Sequence, residues 1–229
     1  VGWLRRGGAD WHNITINTQI IWSYEEFLEV LTHEIWHVID LWVIQWVSRS
    51  KNFDYTEFGA VQFAADDWSI DFYALSWKDE YKRHALSYSS DFCSGYGMSN
   101  PFEDFAECLN LYLNHNALFR FWAANNAALE KKYNLFAALF DNSYLFAGSK
   151  DLAIIKNYDS DWRPWDTTRI KSTKNTAYGW YFFVESIQDI LFIQDLSYAS
   201  FVAHTLCLVS WIYWQHFCTK SMCNLWFSC

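Results

Sequence analysis

The sequence predicts an α+β fold that is mainly helical, with a small sheet, and three stretches carry that expectation. Residues 13–21 (NITINTQII) alternate between polar and apolar positions, the period of a half-buried strand. Ser23 with Glu26 three residues later is a capping-box pattern, and Phe27, Val30, Leu31, Ile35, Val38 and Trp42 then recur at helical spacing. Asn100-Pro101 opens a further helix, with Phe102, Phe105, Ala106 and Leu109 as its apolar stripe.

Between these helices, residues 51–92 are mixed and rich in aromatic side chains, which reads as short helices and loops. Residues 117–147 read as more helix, and 157–178 are polar and turn-like. The expected organisation is one domain over residues 1–150 followed by a helical or irregular extension over 151–229. Residues 196–219 contain no Asp, Glu, Lys or Arg, a length that can cross a bilayer. His204, Gln215 and His216 dilute its hydrophobicity, so a buried helix is the preferred reading and membrane attachment the minority one.

Composition narrows the classes. The 229 residues are 52% hydrophobic and 19% charged, which excludes a disordered acidic tail. A net charge of −9 argues against a nucleic-acid partner, which requires a basic face to neutralise phosphates. Val1 reads as the edge of a fragment or a processed chain, with no signal segment visible. The cysteines (Cys93, Cys108, Cys207, Cys218, Cys223, Cys229) form no CxxC pair, so zinc-knuckle spacing is missing.

Chemistry concentrates in two blocks. Residues 33–37 read His-Glu-Ile-Trp-His, and on a helix positions i and i+4 share a face with Cβ atoms about 5–6 Å apart. His33 and His37 can therefore hold one ion, with Glu34 beside them to take a proton from a bound water. Alone, this pattern also arises by chance in unrelated helices. A catalytic zinc needs a third protein ligand and an open position. The metzincin continuation is excluded, because Asp40 and Val43 stand where its Gly and third His would be. The other candidate ligands lie in SGYGMSNPFEDFAE at 94–107, where Glu103 and Glu107 are four apart on the second helix. One of these carboxylates can bind the ion while the other orients a ligating histidine through its free N–H. Glu103 could otherwise close a capping box with Asn100.

HEIWHVID followed by SGYGMSNPFEDFAE resembles the gluzincin-type zincin metallopeptidases. Within them it is most similar to the group holding the anthrax lethal factor catalytic domain and the prolyl-prolyl endopeptidases, over roughly residues 10–125. The resemblance implies a zincin-like domain, Zn2+ as cofactor, and a protein or peptide substrate. It implies His33, His37 and Glu103 as ligands, Glu34 as general base, Tyr96 as the hydroxyl facing the metal, and Glu107 and Asp40 as residues supporting the ligands. The implied activity is that of a zinc metalloendopeptidase, secreted or extracytoplasmic as the related enzymes mostly are. A strand edge near 13–21 would hold substrate by strand addition. Two rivals predict different results: an inactive zincin module would bind metal with no activity to lose, and a structural helical protein with a chance HExxH would bind no stoichiometric zinc.

One feature departs from the family pattern. Trp36 stands where the family has a small residue, commonly Gly, and is expected to overpack its helix by about 1–3 kcal/mol. Trp42, Trp46 and Trp165 look similarly out of place. With 15 Trp and only 8 Gly, this raises the hypothesis of UGA glycine codons read as tryptophan, which UGG at codons 36, 42 and 46 would exclude.

Overall fold

The computed structural model describes residues 5–9, 14–40, 50–57, 61–151, 153–154 and 163–171. The chain divides into two units, Val1–Thr176 and Ala177–Cys229, and every described residue lies in the first. Trp42, Trp46 and the uncharged stretch 196–219 fall outside the described residues. Among the described residues no helix is long and apolar enough to cross a membrane.

The architecture is α+β, with the helices dominant. Strands β1 (Gly7–Ala9) and β2 (Ile14–Ile16) pair antiparallel, followed by helix α1 (Tyr24–Ile39). Two further antiparallel hairpins, β3–β4 (Phe53–Glu57 with Val61–Ala64) and β5–β6 (Trp77–Asp79 with Lys82–Arg83), flank helix α2 (Trp68–Tyr73). Helices α3 (Pro101–Asn114), α4 (Asn116–Ala123) and α5 (Ala127–Leu139) follow, and a last short pair joins β7 (Ala153–Ile154) to β8 (Ile170–Lys171). The strand expected over 13–21 is shorter than its alternation: Thr18–Ile20 turn into a 3-10 helix capped by Asn17. The region 51–92, expected as helices and loops, also contains both hairpins.

The two long helices begin as their sequences dictate. Ser23 accepts a hydrogen bond from the Glu26 N–H at 3.1 Å, while the Glu26 carboxylate reaches back to the Trp22 N–H at 2.9 Å. At α3, Asn100 accepts from the Glu103 N–H at 2.9 Å, and Pro101 occupies the first helical position, where a missing N–H costs nothing. The Glu103 carboxylate itself goes to the Tyr96 hydroxyl and to His33.

Aromatic packing fills the space between α2, α3 and α5. Phe105 stands edge-on to Phe72 and Phe136 with centroids 5.1 and 5.3 Å away, separations in the favourable range for ring pairs. Trp36 is 1% exposed and meets Phe140 edge-on, and its indole N–H has no hydrogen-bond partner among the described residues. The disulfide Cys93–Cys108 ties the segment before Tyr96 to α3, one residue beyond Glu107. Closing a loop of that size contributes about 3 kcal/mol in the chain-entropy account. Residues 163–171, which the sequence reading placed in the extension, lie as a strap across α1 and α3: Arg169 pairs with Glu26 at 2.8 Å and the Asn110 amide donates to Thr167 Oγ1 at 2.9 Å.

Candidate metal centre

Helix α1 carries His33 and His37 one turn apart on the side that faces the first turn of α3, where Glu103 sits. His33 Nε2 lies 3.1 Å from Glu103 Oε2, His37 Nε2 lies 3.3 Å from His33 Nε2, and His37 Nε2 lies 3.5 Å from Glu103 Oε2. Three donor atoms thus converge on one point. A tetrahedral zinc with bonds of about 2.0–2.1 Å holds its ligand atoms roughly 3.3 Å apart. The observed triangle matches that edge on all three sides, and two imidazoles with one carboxylate is a donor set of catalytic zinc.

The charges around the triangle suit a cation. Burial would raise Glu103, but the positive fields and hydrogen bonds of His37 and His33 overcome it and hold the carboxyl well below the usual range. Burial would lower His33 and His37, yet Glu103 outweighs it at both rings, and Glu107 adds to it at His33, so both are raised. An ionised carboxylate thus sits against two rings that attract positive charge, as a proton or as a metal ion.

The supporting residues come from several elements. Glu107, one turn beyond Glu103, brings Oε1 to 3.0 Å from His33 Nδ1 as an ion-pair contact, and neither atom makes a hydrogen bond among the described residues. Its Oε2 accepts from the Thr167 N–H of the strap at 2.7 Å. Tyr96, in the 3-10 turn Tyr96–Met98, donates its hydroxyl to Glu103 Oε1 at 2.8 Å. Burial and the adjacent Glu103 charge raise the Tyr96 pKa, so it keeps its proton and remains a donor. Glu34 is buried, and burial raises its pKa against the opposing fields of His33 and His37. Strand β1 passes so close that a Cβ at Gly7 would stand 2.8 Å from Glu34 Cδ, so only glycine leaves room for this carboxylate.

Asp40 is placed differently from the expectation. Its carboxylate accepts hydrogen bonds from Ser69 and Tyr73 of α2 rather than from a ligating histidine. Burial, with Asp67 close by, pushes its pKa up to about 8. The carboxylate facing the outer nitrogen of His37 is instead Glu57 of β3, whose Oε1 lies 3.9 Å from Nδ1. Burial raises Glu57 to about 7. The sequence did carry a signal for it: Tyr55 and Glu57 share the inward face of one strand, and a charge on an apolar face needs a partner. Of the other histidines, His115 pairs with Glu29 at 3.1 Å, tying the end of α3 to α1 away from the triangle.

Comparisons with protein-family models, with curated proteins and with solved structures find no match to this chain.

Proposed function

We propose that this chain is a zinc-dependent endopeptidase with a zincin-like domain, and the observation that carries the reading is the His33–His37–Glu103 triangle with its tetrahedral spacing. His33 Nε2, His37 Nε2 and a Glu103 oxygen would hold the ion. Bound zinc would supply a Lewis acid and bring the pKa of a coordinated water to about 7. Glu34 accepts the proton of the attacking water and passes it to the departing amide nitrogen. The Tyr96 hydroxyl donates to the carbonyl oxygen as negative charge builds there, a role in which one donor is worth about 3 kcal/mol. Glu107, with Oε1 3.0 Å from His33 Nδ1, would take the Nδ1–H of that ring and so keep the Nε2 lone pair pointed into the triangle.

Metal analysis of purified protein tests the reading directly. One zinc per chain is expected, lost in Glu103→Ala and weakened roughly 10- to 100-fold in Glu107→Gln, the range for a group that orients a ligand. Protein that holds no zinc in its native state sinks the reading.

The glycine pair of β1 gives a second test. In Gly7→Ala the methyl group meets only the end of a flexible side chain, so the fold yields cheaply and the Glu34 carboxylate moves. Peptide hydrolysis should fall roughly 100-fold, as for a catalytic group displaced by about 1 Å, with zinc content unchanged. Among the described residues nothing lies within 4 Å of a Cβ at Gly8, so Gly8→Ala should match the wild type. Equal activity in all three proteins would show that Glu34 is not positioned by β1.

A further inference from the structure

We propose that Trp165 determines specificity in this site by selecting an apolar side chain of the peptide within about two residues of the scissile bond. The inference rests on the peptidase reading above. Trp165 is 54% exposed, but it is not a loose surface side chain. On one side of it Pro164 accepts from the Gly95 N–H at 2.8 Å, and its own carbonyl accepts from the Tyr96 N–H at 2.6 Å. On the other side, Thr167 is fixed to Glu107 at 2.7 Å and Arg169 to Glu26 at 2.8 Å. The indole also rests on Gly95, where a Cβ would stand 2.8 Å from its Cε3. Backbone and ring are therefore held by the same loop that carries Tyr96.

The placement points to substrate. The Tyr96 ring lies 6.1 Å from the His33 ring, and the Trp165 ring lies 6.3 Å from the Tyr96 ring, so Trp165 stands one aromatic neighbour beyond a histidine of the triangle. An extended peptide advances about 3.3 Å per residue, which makes the step from Tyr96 to Trp165 roughly two residues long. A large ring immobilised before binding loses little rotamer freedom when a ligand covers it. Its flat, apolar face favours an aliphatic or aromatic side chain over a carboxylate, which would lose its hydration there.

The experiment compares cleavage of a degenerate peptide library by zinc-loaded wild type, Trp165→Ala and Trp165→Phe. For the wild type, an apolar preference is expected at one position within about two residues of the cut. In Trp165→Ala, kcat/KM for peptides with Leu or Phe at that position should fall roughly 10- to 100-fold, that for peptides with Gly there should hold, and Trp165→Phe should recover most of the loss. A readout independent of turnover is the binding of a preferred peptide to zinc-loaded Glu34→Gln protein, which should weaken by the same ratio when Trp165→Ala is added. A uniform fall across all peptides would mean that Trp165 only props Tyr96, an unchanged profile would mean that it touches nothing, and a UGA codon at 165 read as glycine would mean that the natural protein has no indole there; each overturns the inference. Wild-type protein that holds zinc and cleaves no member of the library overturns the peptidase reading itself, and the inference with it.

Discussion

Glu34→Gln is expected to retain one zinc per chain and to lose peptide hydrolysis by roughly 100- to 10,000-fold, the contribution of a positioned general base. The two halves of that result have separate causes. Glu34 is not a member of the ligand triangle, so the amide leaves His33, His37 and Glu103 in place. The amide also keeps the volume of the carboxyl beside Gly7, and the contact with β1 survives. What disappears is the ability to take a proton. Burial raises the Glu34 pKa against the opposing fields of His33 and His37, which makes the carboxylate a stronger base than an exposed one. The activity should accordingly fall as pH drops and Glu34 becomes protonated, and the Gln variant should lack that acid limb in its residual rate. Metal content by elemental analysis and cleavage of a quenched peptide measure both halves on one preparation. If the wild type and the Gln variant hold zinc alike and neither cleaves, the chain is a metal-stabilised binding module.

The parts of this site that were legible in the sequence are the local ones. Ser23 and Asn100 announce the starts of α1 and α3, and the four-residue spacings of His33 with His37 and of Glu103 with Glu107 set their facing within each helix. Glu103 has two readings, cap or ligand: its N–H donates to Asn100 as at a capped helix start, while its carboxylate turns to the histidines, the placement that the ligand reading requires. The contributions that were not legible all cross long stretches of chain. Gly7 meets Glu34 only because β1 folds against α1, and Glu57 reaches His37 only through the β3–β4 hairpin. The strap 163–171 is polar and turn-like by composition, and nothing local says that Thr167 will hold Glu107 sixty residues away. Asp40 shows the converse limit. Its position after His37 fits a supporting role, but Ser69 and Tyr73 of α2 capture it first.

The largest stability effect is expected at a pair that takes no part in the chemistry. Lys132 of α5 is fully buried and its ammonium donates to both oxygens of Asp104, at 2.9 and 2.7 Å, and to the Asp91 carbonyl at 2.9 Å. Trp77 Nε1 donates to the same carboxylate at 3.0 Å, and the Phe92 ring lies 4.4 Å from the ammonium. Burial pushes the Asp104 carboxyl up and the Lys132 ammonium down, each against the pull of its partner, so both charges exist at this depth only as a pair. Lys132→Ala leaves the carboxylate buried with one remaining donor and should cost about 3–5 kcal/mol in urea unfolding. That is a large share of the roughly 5–15 kcal/mol that holds a domain together. The paired change Lys132→Met with Asp104→Leu removes both charges and should recover most of the loss, because well-packed apolar residues replace a buried ion pair with little penalty. A loss below about 1 kcal/mol in the single variant would mean that water reaches the pair and screens it. The effect should also reach the proposed metal site. Asp104 adjoins Glu103 in the first turn of α3, and its Cα would stand 3.3 Å from a Cβ at Gly97, so the turn carrying Tyr96 is packed directly on it. An Asp104 that moves toward water takes that turn with it. Zinc affinity should therefore fall in Lys132→Ala under conditions where the protein is still folded, and return in the paired variant.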